Sequence, residues 1–193
     1  MHILGIPPMK FVANVDFNGG QLRPLDKSDV DAIVKLYQKQ TLAGQSEAAI
    51  KEHAERMITL SVQMAATQRG LMWAIEVDGQ MLGMLSLYDW QPTSLKTLLR
   101  LDALPELAQP LQVDALRSGI DYLAQKYHLR NFSFQCLPQG EEVVIDVIKQ
   151  VGFQQQARLR EFRRISQTEF SDIIVFNKIL ESAEATSPAG ESA

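Results

Sequence analysis

The stretch LMWAIEVDGQMLGMLSLY, Leu71 to Tyr88, decides the fold. Two strand-like apolar runs, LMWAIEV (71–77) and MLGMLSLY (81–88), flank the dipeptide Asp78-Gly79. Such a dipeptide between apolar runs predicts a tight β-hairpin, because both turn positions need positive φ and these residues accept it at low cost. With a hairpin fixed at the centre, the rest of the chain can be read outward in both directions.

Downstream, LKTLLRLDAL (95–104) fits a strand or a helix by periodicity alone. Val113, Leu116, Ile120, Leu123 and Tyr127 then mark an amphipathic helix, and Phe132, Phe134 and Cys136 alternate with Ser133 and Gln135 as in a half-buried strand. Val144, Val147, Ile148 and Val151 form another helical stripe, ended by Gly152 at a C-cap position. FQQQARLREFRRI (153–165) and DIIVFNKIL (172–180) read as a closing pair of strands. Upstream, Gln21 to Pro24 is a short extended piece, and Ser28 with Asp31 signals a helix start. Val30, Ile33, Val34 and Tyr37 carry that helix, and a second covers roughly 46–68 before Gly70.

The expected order is β-α-α-β-β-β-α-β-α-β-β. A strand–helix–strand unit at 95–137 requires a right-handed crossover and one parallel pair. The fold class is therefore α/β (α+β): a single-domain, mixed, mostly antiparallel twisted sheet with helices on both faces. Residues 1–19 read as an N-terminal extension, 20–181 as the domain, and 182–193, small and polar, as a flexible tail.

The bulk composition narrows the function classes. A chain of 193 residues, 46% hydrophobic and 22% charged, suits one soluble domain. A formal net charge of −4 argues against non-specific binding of nucleic acid or an anionic membrane. One cysteine, Cys136, leaves no intramolecular disulfide and excludes a cysteine metal cluster. His2, His53 and His128 have no metal-ligand spacing, so no metal is expected. MHILGIPPMKF lacks the pattern of a signal peptide and no apolar run approaches a membrane span, so the expectation is a cytoplasmic protein. Nothing in the sequence indicates an oligomeric state.

The order of elements resembles the GNAT superfamily of acyl-CoA N-acyltransferases, nearest the branch that acetylates ribosomal-protein N-termini. The likeness rests on LRPLDKSDVDAIVKLY (22–37), WAIEVDGQMLGMLSLY (73–88), VIDVIKQVGFQQQARLREF (144–162) and FSDIIVF (170–176). It implies acetyl-CoA as co-substrate, with the pantetheine arm in a crevice between the fourth and fifth strands. It also implies a pyrophosphate loop of pattern Arg/Gln-x-x-Gly-x-Gly/Ala at the start of the third helix. PELAQPLQV (105–113) stands there, with Ala108 in place of the basic residue and none of the glycines. The donors expected in their stead are the backbone N–H groups of Leu111, Gln112 and Val113 at a positive helix end. LPQGEEVVI (137–145) departs as well: Gly140 and Val143 stand where relatives carry Asn and Ser. Leu137, at the head of that segment, is the fourth expected cofactor contact.

The same resemblance implies direct attack of a primary amine, from a small molecule or a peptide, on the acyl-thioester. A general base must then lie near the amine. Glu76, Asp89, Asp102 and Glu106 sit on or just past strands, and Asp102, which interrupts an apolar run, is the leading candidate. Tyr88 or Tyr127 would reprotonate the leaving thiolate, with Tyr88 preferred. Each of these residues also fits a bland role in packing or a solvated ion pair. Cys136, on the apolar face of its strand, reads as inert packing. Arg158, Arg160, Arg163 and Arg164 form a local cationic cluster, either a solvated face or a receiver for an anionic substrate. The two departures leave open a non-catalytic module of this fold that has lost its CoA site, and an acyltransferase fed by an acyl carrier protein.

Overall fold

The computed structural model describes residues 8–9, 11–38 and 46–181. Its core is the expected hairpin, β3 (Leu71–Val77) and β4 (Gln80–Gln91), joined through Asp78 (φ 51) and Gly79 (φ 74). Both turn residues take the positive φ that matches the twist of the strands. Strand β3 lies inside the sheet and is buried on both faces from Leu71 to Ile75, so that run is apolar instead of alternating. Leu71, Trp73 and Ile75 belong to one apolar cluster, Met72 and Ala74 to a second on the opposite side.

The ambiguous run at 95–104 is a strand, β5 (Lys96–Ala103). Tertiary pairing resolves what periodicity left open, since β5 is held by β4 on one side and β6 (Asn131–Cys136) on the other. The β5–β6 pair is parallel and is spanned by α3 (Gln109–Tyr127), as the crossover requires. The remaining elements are β1 (Val15–Phe17), β2 (Gly20–Pro24), α1 (Val30–Gln38), α2 (Glu47–Ala66), α4 (Glu142–Gln150), β7 (Gln154–Arg164) and β8 (Phe170–Ile179). Strand β1 adds a short hairpin ahead of the expected order. The eight strands run β1-β2-β3-β4-β5-β6-β8-β7, every neighbouring pair other than β5–β6 being antiparallel. Helices α1 and α2 close one face; α3 and α4 close the other.

Two local solutions differ from the simplest sequence reading. The turn into α1 is capped by Asp26, not by Ser28: the Ser28 N–H donates to Asp26 and the Asp26 N–H to Asp29 (2.8 Å). Asp29 is drawn inward because Arg23 grips it through two 2.8 Å bonds while also bonding Glu76, an arrangement no short-range pattern encodes. On the other face, Gly119 lets α3 lie close to the sheet: a Cβ there would stand 2.8 Å from the Leu85 side chain and 3.2 Å from Leu22.

Trp73 is the largest fully buried side chain; its indole N–H donates to the Ala13 carbonyl (2.8 Å) and its ring meets Tyr122 edge to face. Replacing a buried Trp by Ala costs about 3–5 kcal/mol. Trp73→Ala should therefore lower the urea midpoint sharply with little change in slope; an unaltered midpoint would show that the hairpin is not the keystone.

Candidate functional site

The sheet opens where its one parallel pair ends. Strands β5 and β6 are in register from Lys96↔Asn131 to Leu99↔Phe134, and the ladder stops there although β5 continues to Ala103 and β6 to Cys136. Each strand stays with its outer neighbour: Ala103 with Gly83 of β4, and Cys136 with Ile174 of β8. Sheet twist then spreads the two inner edges apart. The gap forms a crevice of about 570 Å³, walled mainly by apolar side chains from β4, β5, β6, α2 and α4. Its rims at 100–103 and 135–136 make no ladder bonds to each other.

Alternation along β5 decides what this crevice contains. Thr97, Leu99 and Leu101 are buried on one parity, while Leu98, Arg100 and Asp102 take the other. Arg100 and Asp102 are thus side by side. The guanidinium donates from Nε and Nη2 to the carboxylate at 2.9–3.1 Å, and the Tyr37 hydroxyl approaches Asp102 at 3.4 Å. Burial works against the charge on Arg100, but its bonds to Asp102 outweigh that and hold it firmly protonated. Burial, reinforced by the Asp102 charge, raises Tyr37 well above its ordinary range, so it remains a neutral phenol and a donor. His53 of α2 meets the Tyr37 ring edge to face and lines the same crevice, as does Tyr88.

On the opposite rim, the Leu137 N–H donates to the Glu141 carboxylate (2.6 Å), and the Gly140 N–H to Glu142 (3.0 Å). The loop between β6 and α4 is thereby closed by its own acidic side chains, and Glu141 faces the crevice. Cys136 lines it too, but is almost wholly buried, and burial pushes its thiol up to about 12. A neutral thiol is a poor nucleophile.

The loop before α3 is tied from within. The Leu107 N–H donates to the Leu104 carbonyl (3.0 Å), and the buried Gln112 amide donates back to the Leu107 carbonyl (2.8 Å). The N–H groups of Leu111 and Gln112 both donate to Ala108 O, at 3.0 and 3.1 Å. Pro105 and Pro110 carry no N–H. Among the described residues, the N–H groups of Glu106, Ala108 and Gln109 make no bond to a carbonyl of this loop or its surroundings.

Tyr88, Tyr37 and Arg100 line one opening; Asp102 stands behind them, bonded to Arg100 and Tyr37, and Leu137 follows Cys136 at the far side, its N–H donating to Glu141. Leu111, Gln112 and Val113 are the third to fifth residues of α3, apart from the residues that line the crevice. Glu76 is engaged with Arg23. Asp89 is exposed and accepts from Gln91, and Glu106 is exposed on the loop. Tyr37, Arg100 and Glu141 are constituents that the sequence reading did not single out. Arg100 carried a visible signal, standing two residues before Asp102 in a strand and therefore on the same face.

No family model and no curated protein matches the sequence. Solved structures do. A ribosomal L7/L12 alpha-N-protein acetyltransferase, RimL, in complex with coenzyme A held by a disulfide to a cysteine, superposes with a TM-score of 0.74 at 16% identity, over 87% of this chain and 98% of that one. RimJ of Mycobacterium smegmatis, in complex with a CoA-disulfide, gives 0.72 at 15% identity, over 86% of each chain. The ribosomal-protein-S5-alanine acetyltransferase of Vibrio fischeri gives 0.72 at 14%, over 87% and 97%. What is shared at these identities is the fold: the chain has the GNAT fold.

The buried thiol generates a prediction. The folded protein keeps Cys136 neutral, whereas the unfolded chain ionises it near its ordinary value of 9.0, so stability is lost as pH rises from about 9 toward about 12. Cys136→Ala should flatten that part of the stability–pH curve relative to the parent. Native protein at pH 8 should resist iodoacetamide until it is unfolded; rapid alkylation of the native state would contradict the assignment.

Proposed function

We propose that the protein is an N-acetyltransferase that moves an acetyl group from acetyl-CoA to the primary amine of a peptide or protein. The observation that carries this reading is the open β5–β6 crevice, an apolar slot whose two strand rims make no ladder bonds to each other, in a GNAT architecture. The neighbours solved with coenzyme A are acetyltransferases of this architecture. The described residues fit the slender thioester arm: its amide groups need strand-edge donors and acceptors, and its chain needs apolar walls. For the diphosphate, the donors on offer are the N–H groups of Ala108 and Gln109, backed by the positive end of α3 at Leu111, Gln112 and Val113.

When bound, acetyl-CoA supplies an electrophilic thioester carbonyl. The chain's own contribution is to place an amine beside it, and well-oriented reactants at close range can account for several kcal/mol of the barrier. Asp102 serves as the general base that takes the proton from the attacking amine, and it keeps Arg100 and Tyr37 in place. Tyr88 serves as the proton donor to the departing thiolate. Apolar residues around the opening exclude water and favour aminolysis over hydrolysis.

A second reading, a binding module of the same architecture without activity, draws on the loop at 105–110, which brings two prolines and no cation to the diphosphate. Thermal unfolding separates the two. A ligand at about 100 times its Kd adds roughly 2.7 kcal/mol, and in a chain of this size each kcal/mol moves Tm by about 2–4 °C. Millimolar acetyl-CoA should therefore raise Tm by several degrees, and Tyr88→Phe should keep that shift while lowering kcat about 100-fold or more. Absence of any shift with acetyl-CoA or CoA would overturn the proposal.

A further inference from the structure

The layer between the sheet and α2 is packed unlike the layer on the other face. Of the chain's seven methionines, five are buried there: Met57 and Met64 of α2, Met72 of β3, and Met81 and Met84 of β4. The small residues Ala54 and Ala74 stand among them. The layer beneath α3 and α4 is filled mainly by Leu, Ile, Phe and Trp, with Met9 its one methionine among the described residues. Branched and aromatic side chains hold defined rotamers, whereas methionine is unbranched and polarisable and re-forms around what it touches. The methionine-rich layer is therefore the deformable one, and through Met57 and Met72 it is continuous with the crevice.

The crevice extends sideways along the sheet. Met72 on β3 is opposite the small Ser86 on β4, and Ser86 is opposite Arg100 on β5, so the three share one row on one face. In the next row Tyr88 is opposite Leu98. Met72, Tyr88, Leu98 and Arg100 all line the cavity, and α2 overhangs it with His53, Met57 and Leu60, which repeat at helical spacing. Two strand spacings separate β3 from β5, about 10 Å in all. From the parted rims of β5 and β6 the cavity thus reaches back beneath α2 as a side lobe. Its end is blind: Met72 is 1% exposed and Met57 7%. An acetyl group held at the rims is too short to fill a space of that depth.

We propose that this lobe receives the tail of a straight aliphatic acyl chain, of butyryl to hexanoyl size, and that the coenzyme A thioester of such a chain is a better donor than acetyl-CoA. The inference rests on the transferase reading above and adds the class of acyl group. A blind lobe admits only the free end of a chain, and an acyl tail is such an end. Its lack of polar atoms suits walls of thioether, aliphatic and ring carbon, and methionine adapts to a flexible chain that has no fixed shape. The chemical step is the same as for acetyl. The amine nitrogen bonds to the acyl carbon, the carbon–sulfur bond breaks, and the proton shed by the amine is balanced by the one the thiolate takes up, giving an amide and free CoA.

The test measures binding of CoA, acetyl-CoA, butyryl-CoA and hexanoyl-CoA to the full chain by calorimetry, with no acceptor present. Transfer from each thioester is then followed with two peptides that differ only in a first residue of alanine or leucine. Each methylene buried from water is worth up to about a fourfold gain in affinity, so hexanoyl-CoA should bind about tenfold or more tighter than acetyl-CoA. Met57→Phe and Met72→Phe fill the lobe from helix and sheet respectively, and each should cut the hexanoyl-to-acetyl affinity ratio about tenfold. A cooperative unfolding transition checks that each variant is folded, and the parent series stands without them. Equal affinity for acetyl-CoA and hexanoyl-CoA overturns the acyl lobe and leaves the acetyltransferase reading intact. A gain with chain length that both substitutions leave unchanged puts the tail elsewhere and overturns it as well. Transfer that improves with the leucine peptide, and not with acyl length, overturns it in favour of an acceptor side chain. No binding of any of the four ligands removes the transferase reading and the proposal with it.

Discussion

Strands β5 and β6 share a ladder for only four residues, and the rest of the site depends on that brevity. Parallel strands that kept pairing to Ala103 and Cys136 would leave a closed sheet with no place for a ligand. Each is pulled away by a stronger commitment, β5 to the hairpin strand β4 and β6 to the terminal strand β8. The twist that every sheet accumulates then converts two divergent attachments into an opening. The opening is stable because neither rim needs the other: outer ladders and two helix-covered faces hold both strands.

The charged wall of that opening follows from the same geometry. Arg100 and Asp102 share a parity on β5, so the strand presents them together, and burial makes them interdependent. Removing a partner from a buried pair costs far more than the pair contributes. Asp102 therefore cannot be varied without disturbing Arg100 and the Tyr37 hydroxyl that approaches it. The opposite rim is organised differently: Glu141 and Glu142 turn back to satisfy loop N–H groups. One wall is fixed by tertiary pairing, the other by a short local turn.

Much of the architecture was legible because its signals are local. Asp78-Gly79 required a hairpin, and the stripes of α1, α3 and α4 fell at helical spacing. The run at 95–104 was not decidable, since both of its neighbours are distant in sequence. Strand β1 escaped notice because three residues carry no periodicity. At the site, Asp102 and Tyr88 could be named from interruption and strand position; Tyr88 lines the opening and Asp102 is bonded to Tyr37 and Arg100, which line it. Tyr37 was hidden within a core-like stripe, and Glu141 within a run of acidic residues; each acquires its place through a contact made across the fold. The loop at 105–112 shows the limit most clearly. Its missing glycines were plain to read, but the donations of Leu107, Leu111 and Gln112 into the fold depend on backbone geometry that residue types alone do not specify.

The central claim is that the parted ends of β5 and β6 receive an acyl-thioester. Amide chemical shifts of the labelled protein, followed while acetyl-CoA is added, test it most directly. The account predicts that the largest changes fall on residues 100–103 and 135–137, with smaller ones at Ala108 and Gln109, and that they saturate together. Saturable changes confined to another part of the surface, or none at millimolar acetyl-CoA, would contradict it.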